Sequence, residues 1–291
     1  MSQTEQHCAC DPSKLVMLPV RGFGLAVDPS GLVPAPGPAL GCRERVDQDM
    51  HIYIDGNLSE SGDGLSPETA VKSYADAVLA LSRYDGCNLH AAHLHFLPLE
   101  DQLASYPDIG IYPGTYATFT TFHLSGDSHE STRLGWCNVY PGCHAFVADV
   151  CLTCLRNFSS FVQLWNNVAF KTGEKKYAIM SQYGGAVSLT PESNIYFHAG
   201  AYHSCAFVLS SMLYNVTSCK MHTLGPVSVD TGFLCAVRNA VINLNDTVDY
   251  TNCTAVTGRK YYANLCSNIS TTGKILPGSL DGQVYNGSIY L

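Results

Sequence analysis

Charge is scarce in this sequence. Only 14% of its 291 residues are Asp, Glu, Lys or Arg, and the 16 basic residues are outnumbered by 24 acidic ones, for a net charge of −8. No basic stripe exists to displace counterions from phosphates, which excludes a nucleic-acid-binding role. No apolar run reaches 18 residues, which excludes a membrane-spanning helix. The opening "MSQTEQHCACDPSK" has neither a basic start nor an apolar core, so a secretory leader is not expected and synthesis in a cytoplasm is. On that reading the seven N-x-S/T sequons, at Asn57, Asn157, Asn215, Asn245, Asn252, Asn268 and Asn286, are by-products of turns rich in Asn, Ser and Thr. Helix signals are nearly as rare as charges, and one short stretch carries them.

What is abundant is apolar and polar-uncharged side chains. Hydrophobic residues make up 46% of the chain, enough for a sizeable core, and the many Ser, Thr, Asn, Gly and Tyr point to an all-β protein with uncharged outer faces. The 13 cysteines include one C-x-C (Cys8, Cys10) and one C-x-x-C (Cys151, Cys154); the others are single. A structural zinc site wants two close pairs, and the main body supplies one. In "FVADVCLTCLRNF" the neighbours are apolar and β-forming, so these thiols read as reduced, small core residues, with a metal or disulfide role as the alternative.

The helix signal lies in "HIYIDGNLSESGDGLSPETAVKSYADAVLAL", residues 51–81. Ile52 and Ile54 alternate with Tyr53 and Asp55 as in a short strand, and a Gly/Asn/Ser/Asp loop follows. Ser66 and Pro67 then read as cap and first residue of a helix over 67–82, with Val71, Tyr74, Ala75, Val78 and Leu81 at helical spacing. Before it, "LVPAPGPALG" (32–41) excludes regular structure and marks residues 1–48 as an extended arm. After it, "GIYPGTYATF" (110–119) and "NVYPGCHAFV" (138–147) share an aromatic-Pro-Gly turn at an offset of 28 residues. Short alternating runs between Gly turns continue through 182–200 and 222–245, with no second helix. Units of this kind bury their apolar faces only by stacking, as in a solenoid, and the exposed end must be covered. The helix is the expected plug.

At this point the chain resembles a known family. Tyr53, Asp55, Asp63, Gly64, Leu65, Ser66, Pro67, Thr69 and Ala70 match the strand–loop–helix entry of right-handed parallel β-helices in phage tail proteins and pectate-lyase-like proteins. The end, "TGRKYYANLCSNISTTGKILPGSLDGQVYNGSIYL", is similar to the C-termini of phage tail-fibre β-helices. The resemblance covers roughly residues 50–122 and 225–291 and implies a strand–loop–helix cap (49–100), a right-handed parallel β-helix (101–270) and a C-terminal capping or trimer-contact segment (271–291); residues 1–48 match no known tail-attachment module and are expected to be an extended virion-attachment arm. It also implies a homotrimer on the virion tail, joined to another tail or baseplate protein through the arm and contacting a bacterial surface glycan. No cofactor is implied. The entry motif marks fold and not activity, because lyases, hydrolases and inert fibres share it.

Candidate site residues follow from three chemistries. A polysaccharide depolymerase, hydrolase or lyase, is the alternative to a receptor-binding fibre, and hydrolysis needs two carboxylates about 5–10 Å apart. Acids are sparse in the solenoid, and Glu192 with Asp230 is the pair that facing coils could bring together. For glycan binding, Trp136, Tyr140, Trp165 and Tyr183 offer flat apolar rings with polar edges. In "HAAHLHF", His93 and His95 project to one side of a strand and form a weak metal candidate, one that a trimer would multiply threefold.

Overall fold

The computed structural model describes residues 43–87, 89–112, 119–172 and 176–291, together with a short antiparallel pair, Val27–Asp28 with Gly31–Leu32. The rest of the expected 1–48 arm up to residue 42, with Cys8, Cys10 and Cys42, lies outside the described residues. Arg45–Leu291 forms one compact unit.

That unit is a parallel β-solenoid. Strand accounts for 54% of the described residues and helix for 5%. Successive coils contribute strands to three faces, and each of these strands pairs in parallel with its counterpart one coil away. The first face stacks Met50–Ile54, Ala91–Phe96, Thr121–Gly126, the start of His144–Phe158, the start of Phe161–Phe170, Ala186–Leu189, Met212–Asn215, Val241–Asn243, Asn268–Ser270 and Ile289–Tyr290. The second face holds the later part of Phe161–Phe170, the start of Asn194–Leu209 and Cys219–Val229. The third holds Ile109–Ile111, the end of Arg133–Val139, Lys176–Gln182, Leu234–Val237 and Tyr261–Asn264. The 28-residue offset of the two aromatic-Pro-Gly segments is the coil spacing on this third face: Ile109 pairs with Cys137 and Ile111 with Val139.

Period-2 alternation decides what is buried. On the first face, Met50, Ala92, Phe122, Ala145, Val162, Val187, Leu213, Ile242 and Ile269 stack in register, and all are buried. The second face fills the interior with Phe170 and Phe197, whose rings lie 6.0 Å apart. Tyr202 is buried beside them, its hydroxyl donating to the carbonyls of Phe170 and His198 at 3.0 and 2.8 Å. Cys137, Cys143, Cys151, Cys154, Cys205, Cys219, Cys235 and Cys253 are likewise buried and unpaired, while Cys87 is half-buried and Cys266 exposed. Burial pushes the Cys137 and Cys154 thiols up to about 12, so they stay neutral, as expected of core residues.

The turns from the third face back to the first are held in an unusual conformation. Ser159, Tyr183, Ser210 and Arg238 all have φ between 49° and 59°. Each such residue costs on the order of 1 kcal/mol relative to Gly. Their amides offset this by donating to the adjacent coil, to Gln182, Leu209, Val237 and Asn264 carbonyls at 3.0–3.2 Å. Asn157, fully buried, pins one such turn: its Nδ2 donates to the Ser160 and Ala186 carbonyls, and its Oδ1 accepts from the Ser160 amide.

The helical segment differs from the continuous helix expected over 67–82. Ser66 caps only a 3-10 turn, Pro67–Thr69, and the α-helix is Tyr74–Leu81, capped by Ser73, whose hydroxyl accepts from the Asp76 amide. Between them Val71 forms a parallel bridge with Ile54, which commits it to extended backbone. Ala77, Ala80 and Leu81 are buried in the same core as Ile52 and Ile54, and the Tyr74 hydroxyl donates to the Gly110 carbonyl on the third face. The helix thus covers the open end of the first coil. At the other end, the coil pairing continues beyond residue 270: Gln283–Val284 joins the third face and Ile289–Tyr290 the first.

Adjacent residues of Cys219–Val229 test the inside–outside assignment. Met221 is 2% exposed and Lys220 points outward. Met221→Ala is expected to cost about 2–5 kcal/mol in chemical denaturation, and Lys220→Ala to stay within about 0.5 kcal/mol.

Candidate functional site

The outer surface of the first face carries a column of rings. "HIYI", "HLHF" and "HLSG" place a His directly before an inward apolar residue in three successive coils, so parallel register sets His51, His93 and His123 one above another, followed by Phe146. Neighbouring centroids lie 4.4, 4.2 and 4.4 Å apart and the ring planes within 17° of parallel. A second column runs beside it through Tyr53, His95, Ser125, Ala148 and Trp165. The two columns join at both ends: His51 Nδ1 and His95 Nε2 share a hydrogen bond of 2.9 Å, and Trp165 meets Phe146 edge-on at 5.6 Å.

Around the histidines the polar contacts are specific. His95 Nδ1 is 2.9 Å from Ser125 Oγ, and His93 Nε2 is 3.4 Å from Asp49 Oδ2. Asp49 is itself oriented by the Ala91 amide, which donates to its Oδ1 at 2.8 Å and holds the carboxyl below its ordinary range. One ring nitrogen from each of His51, His93 and His95 lies within 4.8 Å of the others. Burial, reinforced by the neighbouring imidazoles, pushes His95 and His123 down to about 4, and burial lowers His93 as well against the pull of Asp49. His93, His95 and His123 are therefore uncharged at neutral pH, and the strip is rich in ring nitrogens.

His93 and His95 are thus brought together, but with a third partner from within the same chain. His51, His123, Asp49 and Ser125 were not among the sequence candidates. The signal for the first two was present as the repeated His-apolar step, once the strands are aligned by their buried residues.

The other candidates are dispersed. Trp165 lies on the strip, 43% exposed, its Nε1 donating to Gln163 Oε1 at 3.2 Å. Trp136 is on the far side of the coil with the Arg156 guanidinium 3.7 Å above its ring. Tyr140 is stacked between Tyr112 and Phe158 at 4.1 and 5.2 Å, so both its ring faces are covered. Tyr183, 64% exposed, sits in a turn between the third and first faces. Glu192 precedes the second-face strand, its amide donating to the Ser218 carbonyl, whereas Asp230 follows that face, with its carboxylate 3.7 Å from His203. About ten strand residues separate the two positions, on the order of 20–30 Å, so these carboxylates do not converge.

The shifted histidines give the folded chain an acid limit. The unfolded chain takes up protons on these rings near 6.5, and the folded chain does so on His95 and His123 only near 4. Protons therefore bind the unfolded state first, so the contribution of these two histidines to stability is expected to be constant above about pH 6.5 and to be lost as pH falls from about 6.5 to 4. Denaturant titrations of metal-free protein across this range check it. In the double variant His95→Gln/His123→Gln the slope should shrink.

The chain matches no protein-family model, no curated protein and no solved structure, so what this strip does rests on its own geometry and chemistry.

Proposed function

We propose that this chain is a receptor-binding protein of the phage tail-fibre or tailspike type, which contacts a bacterial surface polysaccharide through the outer wall of its solenoid. The observation that carries the reading is the strip of rings from His51 to Trp165, elongated along the stacking direction on one face. An extended sugar chain fits such a strip: Trp165 supplies apolar ring surface, and the imidazoles and Tyr53 supply donors and acceptors for hydroxyls. The resemblance of the 53–70 segment to tail-protein entries supports the same assignment. Binding without cleavage is the preferred form, since Glu192 and Asp230 lie at opposite ends of one face.

In this proposal the working unit is a homotrimer on the virion tail, joined to it through residues 1–48. Exposed apolar residues near the C-terminal coil, among them Ile275, Leu280, Ile289 and Leu291, support association with a neighbouring copy.

Two measurements test the reading. Light scattering is expected to give three times the 31.4 kDa chain mass, and a monomeric mass would refute the trimer. Against a panel of bacterial capsule and lipopolysaccharide glycans, the chain should bind at least one without releasing reducing ends or unsaturated sugars. Trp165→Ala should weaken that binding about tenfold, near 1.4 kcal/mol, with folding unchanged. Binding indifferent to Trp165 would move the receptor site off this strip, and new reducing ends would favour the depolymerase.

A further inference from the structure

We propose that His51, His93 and His95 form a binding site for a borderline first-row divalent cation, zinc foremost, on the outer wall of the first two coils. The inference goes beyond glycan binding and stands independently of it.

Geometry is the main support. Three imidazoles place one nitrogen each within 4.8 Å of the others, and His51 Nδ1 and His95 Nε2 are 2.9 Å apart. Zn–N bonds of about 2.0–2.1 Å in a tetrahedral shell place ligand nitrogens roughly 3.3–3.4 Å from one another. The closest pair therefore needs to open by only a few tenths of an ångström, and the third nitrogen to close by up to about 1.5 Å, within the reach of ring rotation. The backbone beneath is fixed, because His51 pairs with His93 and Tyr53 with His95 in one parallel ladder.

The surroundings fit the same purpose. Ser125 on His95 and Asp49 on His93 occupy the position of outer partners that set ring orientation, and the Asp49 carboxylate offsets the charge of an incoming ion. His51 is exposed, so the ion has a route in and a fourth position open to water. A donor set of imidazole nitrogens selects zinc, nickel or copper, whereas calcium and magnesium want oxygen. In the cation-free chain one hydrogen lies between His51 Nδ1 and His95 Nε2. Coordination displaces it to the other nitrogen of its own ring, so both lone pairs face the ion and no proton need leave the protein.

An ion held this way would tie the strand Met50–Ile54 to Ala91–Phe96 beside the capping helix. The test uses the full chain, stripped with chelator, and zinc chloride as the probe, with magnesium chloride as control. Isothermal titration should show a zinc site at one equivalent per chain, no magnesium site, and a zinc-dependent rise in melting temperature. Because Cys8 and Cys10 are a second possible source of zinc ligands, Cys8→Ser/Cys10→Ser is titrated in parallel and should retain the site. His51→Gln/His95→Gln should weaken it by at least about a hundredfold. If that double variant fails to fold, His51→Gln alone decides, since its ring is exposed: circular dichroism confirms the fold, and the affinity should still drop at least about tenfold. Absence of a zinc site in the wild-type chain, its survival in the histidine variants, or its loss in the cysteine variant overturns the proposal.

Discussion

Everything in this molecule depends on in-register parallel pairing between successive coils. The backbone ladder fixes which residue of one coil lies over which residue of the next, and side-chain alternation then sorts each column to the inside or the outside. A slip of one residue would turn Ile52, Leu94 and Leu124 outward and bury His51, His93 and His123 in a core that offers them no partners. The apolar interior and the ring-lined outer wall are thus two consequences of one register.

The same constraint accounts for the histidine cluster. Parallel strands repeat at the spacing of stacked rings, so like residues at equivalent positions meet face to face without further design. Such a column is stable only while its members are uncharged, because adjacent imidazolium rings would repel. Partial burial and mutual proximity hold His123 in this column, and His95 in the one beside it, in the neutral form. The cost of protonation is distributed over the column and not assigned to one residue, which couples the outer wall to the stability of the first coils.

Some of this was legible in the sequence. The solenoid, the single N-terminal helix and the 28-residue third-face spacing could be read from alternation, Gly turns and the paired aromatic-Pro-Gly segments. The extent of the helix could not: Ser66–Pro67 is a good start signal, but the bridge between Val71 and Ile54 is a tertiary contact that overrides it. Nor could the turn conformations, since Tyr183, Arg238 and Leu265 adopt the left-handed region without being Gly or Asn, held there by bonds to coils that are distant in sequence. His93 and His95 stood out as a pair on one strand. Their partner His51 sits forty-odd positions earlier, across the whole cap, and only the register of the first two coils brings it beside them.

The coils differ widely in residue count while keeping this register: one rung passes from His144 to Phe161, another from Met212 to Val241, and the first from Met50 to Ala92 around the helix. Each nonetheless adds the same height, about 4.8 Å, because height is set by strand-to-strand spacing. Length along the axis and girth around it are therefore separate variables in this fold. Residues inserted in a loop widen the outline and leave the ring column undisturbed, whereas only a whole added or deleted coil changes how far the molecule reaches.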